Sequence, residues 1–276
     1  MAAITLVSAC LISNTYAANC SLIPEDSATL EDVERAELLN GFKFKELEKE
    51  LSKQHRKNLK SEGGDLLTLR DLVALQQMGA REEKLTKMWA DQSPTSFFAQ
   101  LNAGMFYSDK AFAARGSRAT ANVKNSQWVD ANKMSVVAQG YLRKAIQLDP
   151  RSALPHSTFI GLAAMLNQIE GKTPEQWLRT AEQVDPKGMA ASISAINYLS
   201  PRWGGSYEFL DSFTAQKGKS VSKASTHYLQ YNLVLNKASH YEVIERDAAK
   251  AQALFKQAHA MCDNSETARE GILRTY

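Results

Sequence analysis

Cysteine is scarce in this sequence, and long apolar runs, charge of one sign and period-two alternation are missing. Three cysteines in 276 residues, Cys10, Cys20 and Cys262, are too few for a disulfide-dense scaffold, and no two lie close enough in sequence for a zinc-finger pair. The apolar stretch Ala2 to Ile12, interrupted by Thr5 and Ser8, is too short to cross a bilayer, and no later segment could be a transmembrane helix. Basic residues number 33 and acidic residues 30, a net charge of +3. That balance argues against nucleic acid, which demands a concentrated basic surface. Lys43, Lys45, Lys49, Lys53, Arg56, Lys57 and Lys60 crowd one helix, but Glu46, Glu48 and Glu50 interleave with them, as on a solvated face. No stretch alternates long enough to require a sheet.

Enzyme signatures are missing too. No Gly-x-Ser-x-Gly occurs. Gly218-Lys219-Ser220 imitates the end of a phosphate-binding loop, but Phe213 stands where its first glycine belongs. Ser220-Val221-Ser222-Lys223 fits Ser-x-x-Lys without the companion motifs. His55, His156, His227, His240 and His259 form no His-Glu-x-x-His pair, and His55 reads as a packing residue on an apolar stripe. No catalytic residue, metal or cofactor is expected.

What is present is a repeat. Tyr141-Leu-Arg-Lys-Ala-Ile-Gln-Leu-Asp-Pro150 recurs as Trp177-Leu-Arg-Thr-Ala-Glu-Gln-Val-Asp-Pro186, 36 residues on. Leu142/Leu178, Arg143/Arg179, Ala145/Ala181, Gln147/Gln183, Asp149/Asp185 and Pro150/Pro186 are identical pairs. The period is close to the roughly 34 residues of tetratricopeptide arrays. Val137, Tyr141, Ala145 and Leu148 suggest one helical stripe, and Asp-Pro ends each helix because Pro disfavours the α conformation in the residue before it. Ser152 and Thr173-Pro174 start the helices that follow. A weaker third copy, Leu254-Phe255-Lys256-Gln257-Ala258, ends at Cys262-Asp263. The expected fold is all-α, a tetratricopeptide-like helical-repeat array (an α-solenoid), because such helix pairs bury their apolar faces only by stacking.

In chain order, residues 1–18 read as a secretory signal peptide with small residues at Tyr16-Ala17-Ala18 for cleavage, although the basic start is missing. A start codon placed too far downstream explains that lack. Val7-Ser8-Ala9-Cys10 gives the alternative, a lipoprotein box with Cys10 as the lipid anchor. Residues 19–28 are a leader. Residues 29–216 form the main helical domain, with the clear repeats at 137–186, and residues 217–276 add C-terminal helices. Thr29 to Asp32 opens a helix expected to run to about Lys60, and Ser93-Pro94 opens another. Export would put Cys20 and Cys262 in an oxidising compartment, where they could pair. In an open array, however, they could be too far apart for a bridge.

Two runs stand out as partner-binding candidates or structural corners. Arg202 and Trp203 of Pro201-Arg-Trp-Gly-Gly-Ser206 could face a partner. The favoured reading is a rigid corner, in which Trp203 plugs the core and Gly204 and Gly205 permit positive φ. Gly116 is expected at a helix end, with Arg115 paired to a buried carboxylate.

Trp89, Ser93-Pro94-Thr95-Ser96, Ala114-Arg115-Gly116, Leu148-Asp149-Pro150 and Leu199 to Ser206 together resemble a bacterial domain-of-unknown-function family, number 4034, over roughly residues 35–215. The likeness implies a tetratricopeptide-like fold and carries no activity. The function expected is therefore binding, by an exported protein that holds a protein or peptide on stacked helices. One version is an immunity or inhibitor protein that neutralises an envelope-targeting toxin. The alternatives are an envelope-assembly scaffold or a cell-wall hydrolase.

Overall fold

A computed structural model describes residues 29–78, 83–118 and 120–275. The segments expected as signal peptide and leader, with Cys10 and Cys20, lie outside the described residues. The described residues are helical, with no named strand, and fall into two compact units, 29–195 and 196–275. No described helix is long and apolar enough to cross a membrane.

The first unit runs through α1 (Leu30–Asn40), α2 (Phe44–Asn58), α3 (Gly64–Met78), α4 (Glu83–Gln92), α5 (Phe97–Arg115), α6 (Asn125–Leu148), α7 (Leu154–Leu166), α8 (Pro174–Val184) and the start of α9 (Ala190–Tyr198). Thr29 starts α1 with a capping box, its hydroxyl accepting from the Asp32 amide and its own amide donating to the Asp32 carboxylate. The single helix expected to reach Lys60 is two helices. Gly41 and Phe42 break it, with Phe42 at φ +57°, the Gly41 amide donating to Glu37 O and the Lys43 amide to Leu38 O. That local closure satisfies the last carbonyls of α1 and starts α2 in a new direction. On α2 every cation from Lys43 to Lys60 named above is exposed, while Phe44, Leu47 and Leu51 are buried. Leu59 is exposed, and Asn58 takes the buried place.

α5 carries a dense apolar face, with Phe98, Leu101, Met105 and Phe106 buried along α6. Its N-cap is Ser96, not Ser93. Ser93 to Ser96 form a turn, and the Ser96 hydroxyl accepts from the Ala99 amide at 3.0 Å. The same hydroxyl donates to Glu48, and Trp89 Nε1 donates to the other oxygen of that carboxylate at 2.8 Å. One carboxylate on α2 thus ties down α4 and the start of α5.

The first repeat has its stripe turned by one residue, whereas in the second Trp177, at the Tyr141 position, is buried. On α6 the buried positions are Ala131, Ser135, Ala138, Leu142 and Ala145, while Val137, Tyr141 and Leu148 are only half-buried. Leu142 and Ala145 match Leu178 and Ala181, all four buried, while Arg143 and Arg179 face solvent. The two corners match down to their dihedral angles. Asp149 sits at φ −137°, ψ 89° and Asp185 at φ −138°, ψ 91°, each amide donating to the carbonyl of the repeat alanine four residues before. Each carboxylate then accepts from the amide two residues ahead, Arg151 or Lys187, at 3.2 Å.

The second unit contains a 3₁₀ turn at Pro201–Trp203, then α10 (Tyr207–Lys217), α11 (Lys223–His240), a π turn at Tyr241–Glu245, α12 (Ala248–Met261) and α13 (Glu266–Arg274). The third copy keeps the corner without Asp-Pro. Cys262 stands at φ −146°, ψ 90° with its amide donating to Ala258 O, and Phe255 and Ala258 are fully buried at the Leu142 and Ala145 positions.

Candidate functional site: a carboxylate-walled pocket at two corners

The two Asp-Pro corners meet the start of α3 around a cavity of about 290 Å³. His55, Asp65, Asp149, Arg151, Ser152 and Asp185 wall it. Asp149 and Asp185 arrive by repetition, as the residues that stop α6 and α8. Asp65 arrives from the first turn of α3, where a carboxylate suits the positive end of the helix. His55 comes from the last turn of α2.

Asp65 is the least ordinary of these groups. It is 6% exposed, and its Oδ2 accepts from the Met189 amide at 2.8 Å and the Ala190 amide at 2.7 Å, capping the start of α9. Its Oδ1 is buried with no hydrogen-bond partner among the described residues. A buried carboxylate oxygen left unpaired costs free energy. Gly188 lies against it. A β-carbon there would come within 2.8 Å of Asp185 Oδ2 and 3.1 Å of Asp65 Oδ2, so two carboxylates converge over one α-carbon.

Burial pushes the Asp65 carboxyl above the usual carboxylate range, and the charge of Asp185 adds to the rise, while the amides of Ala190, Leu66 and Met189 oppose it. Burial also pushes the His55 imidazole below its ordinary value, against the pull of Asp149. His55 Nδ1 and Thr68 Oγ1 share a hydrogen bond at 2.9 Å, which fixes the imidazole against α3. Arg151 is the only cation among the wall residues named. Its Nε is 3.6 Å from Asp149 Oδ1, and its side chain is largely exposed. Among the described residues no group of three His, Cys, Asp or Glu side chains is placed to hold a metal ion.

A raised Asp65 pKa has a defined consequence for stability. The unfolded carboxyl ionises first, near 3.8, so the folded state loses stability as pH rises from there through the folded value. Asp65→Asn keeps an oxygen for the two amides and removes the ionisation. The melting temperature of the wild type relative to this variant should therefore be highest near pH 4 and fall towards pH 7. A difference independent of pH would mean that Asp65 ionises normally. His55, Asp149, Arg151 and Asp185, which face Asp65 across the pocket, are common to both proteins.

The residues singled out in the sequence lie elsewhere. Gly116 ends α5 as expected. Arg115 is buried, and its described donors go to Gly116 O at 3.0 Å, Arg118 O at 2.8 Å and Thr120 Oγ1 at 3.1 Å. Its guanidinium lies 5.5 Å from the Trp128 ring centroid, so it clamps the chain leaving α5. Trp203 is half-buried rather than a core plug, with Tyr198 at 5.9 Å and the exposed Arg202 guanidinium at 5.7 Å from its ring. Gly204 takes φ +89°, as the corner reading requires, and Gly205 approaches the Leu199 backbone. Cys262 is buried at its own corner, far along the chain from the pocket residues. Sequence reasoning took Asp149 and Asp185 as helix enders and His55 as packing. Their identity in two copies was the available signal for the aspartates. Asp65 had none.

A family model described as "Domain of unknown function (DUF4034)" matches residues 32–170. No curated protein and no solved structure matches the chain.

Proposed function

The chain belongs to the DUF4034 family, and from that premise we propose that it is an exported protein that works by binding another protein or peptide at the paired-corner pocket. One observation supports this most. Asp149 and Asp185 hold the same place in two successive repeats and wall one cavity, the way repeat proteins build a recognition surface from a recurring position. In the bacterial envelope such a protein serves as an immunity or inhibitor protein, occluding a toxin by contact. The test is capture from envelope extracts by the mature protein and by an Asp149→Ala/Asp185→Ala variant. A partner retained by the first and lost by the second is the expected result. Identical capture by both would remove the pocket from the function.

Export brings a covalent expectation. Cys262 is buried at the third corner. In an oxidising compartment its partner is Cys20, with Cys10 removed by cleavage or lipidated. Thiol titration of unreduced, denatured protein should find no free thiol in the mature chain. Two free thiols would rule the bridge out, and an intact Met1 on protein recovered from cytosol would sink export itself.

A further inference from the structure

We propose that the paired-corner pocket takes a cationic nitrogen group, an ammonium or guanidinium, whose N–H donates to Asp65 Oδ1 between the carboxylates of Asp149 and Asp185. The inference rests on the binding function proposed above and specifies what is bound. Three observations carry it. Asp65 lines the cavity and is more than nine-tenths buried, and its Oδ1 has no donor among the described residues. Three carboxylates wall that cavity against one guanidinium, and Arg151 lies beside Asp149. The cavity, about 290 Å³, has room for a charged head and part of its apolar stem, and Leu59 and Leu154 line it as well. An anion would meet three like charges. A neutral donor would satisfy Oδ1 but leave the charge unbalanced. A cation with N–H groups does both, in the charge-assisted hydrogen bond that is the strongest available here.

Such a group comes either from a Lys or Arg side chain of the protein partner or from a free organic amine. The mature protein should be titrated with n-butylammonium and n-butylguanidinium chloride, with sodium chloride and butanol as controls, following the Met189 and Ala190 amides by NMR. Saturable shifts with the cations alone are expected. Asp65→Asn should weaken binding about tenfold or more, the size of a lost charged hydrogen bond. Gly188→Ala supplies a second variant. Its β-carbon would stand 2.8 Å from Asp185 Oδ2 and 3.1 Å from Asp65 Oδ2, so both carboxylates must shift, and binding should weaken. No saturable shift, or equal affinity in wild type and both variants, overturns the inference. A short Arg-containing peptide binding at least about tenfold more tightly than butylguanidinium assigns the group to a protein partner, because neighbouring contacts add affinity. Equal affinities assign it to a free amine. Cation binding alongside unchanged envelope capture would leave the pocket assignment standing and remove the protein-binding function. Variant-sensitive capture without cation binding would do the reverse.

Discussion

Replacing Trp89 by alanine is expected to cost about 3–5 kcal/mol, the usual range for deleting a large buried aromatic side chain. Trp89 is fully buried, and its Nε1 is one of the two donors that satisfy Glu48. The loss is therefore double: a cavity where the indole stood, and a half-buried carboxylate with half its partners gone. Burial already holds the Glu48 carboxyl above its ordinary range, and the bonds from Ser96 and Trp89 pull it back. Removing the Trp89 donor raises it further, so the variant should be relatively weaker at pH 7 than near pH 4. Trp89→Phe keeps most of the volume and loses only the N–H, and should cost about 1–3 kcal/mol. Urea unfolding of the three proteins separates packing from hydrogen bonding. An alanine variant within about 1 kcal/mol of wild type would show that the first unit does not depend on this junction.

Gly205→Ala should be the most damaging small substitution in the second unit, at about 3 kcal/mol or more. A β-carbon at Gly205 would stand 1.9 Å from Leu199 O and 2.4 Å from Leu199 C. Those are backbone atoms, and the turn that holds them is closed by the Gly205 amide donating to Ser200 O. No side chain can rotate out of the way. Trp203→Ala in the same turn should cost only about 1–2 kcal/mol, because the ring is half-buried and its contacts with Tyr198 and Arg202 lie near solvent. Thermal melts give the order directly. If the tryptophan variant melts lower than the glycine variant, the corner is held by the ring and not by backbone proximity.

The sequence was informative wherever the structure is local. Asp-Pro and the repeat alanines announced two corners that agree within a few degrees, and Thr29 and Thr173 announced their caps. It misled where competing local signals were close together. Ser93-Pro94 has the form of a helix start, yet Ser96 caps α5 because Glu48 holds its hydroxyl. The stripe on α6 was one residue out because Tyr141 and Val137 are bulkier than Ala138 and Ser135, and apolar bulk was read as burial. The small residues are the buried ones, since α5 lies close along them. Asp65 was beyond reach. Its meaning depends on two amides 124 and 125 residues away, and nothing near it in the chain encodes them.

That distance has a consequence for how the chain can be divided. The family match ends at residue 170, whereas the donors to Asp65 are at 189 and 190, and Trp177, stacked on Phe159 at 4.3 Å, also lies past the end. A fragment cut to the matched segment would keep the buried carboxylate and discard every amide that reaches it from outside α3. It would also strip the indole from Phe159. The stretch recognisable by descent is therefore shorter than the stretch that can stand alone, and the shortest self-sufficient piece of the first unit must carry the whole first turn of α9.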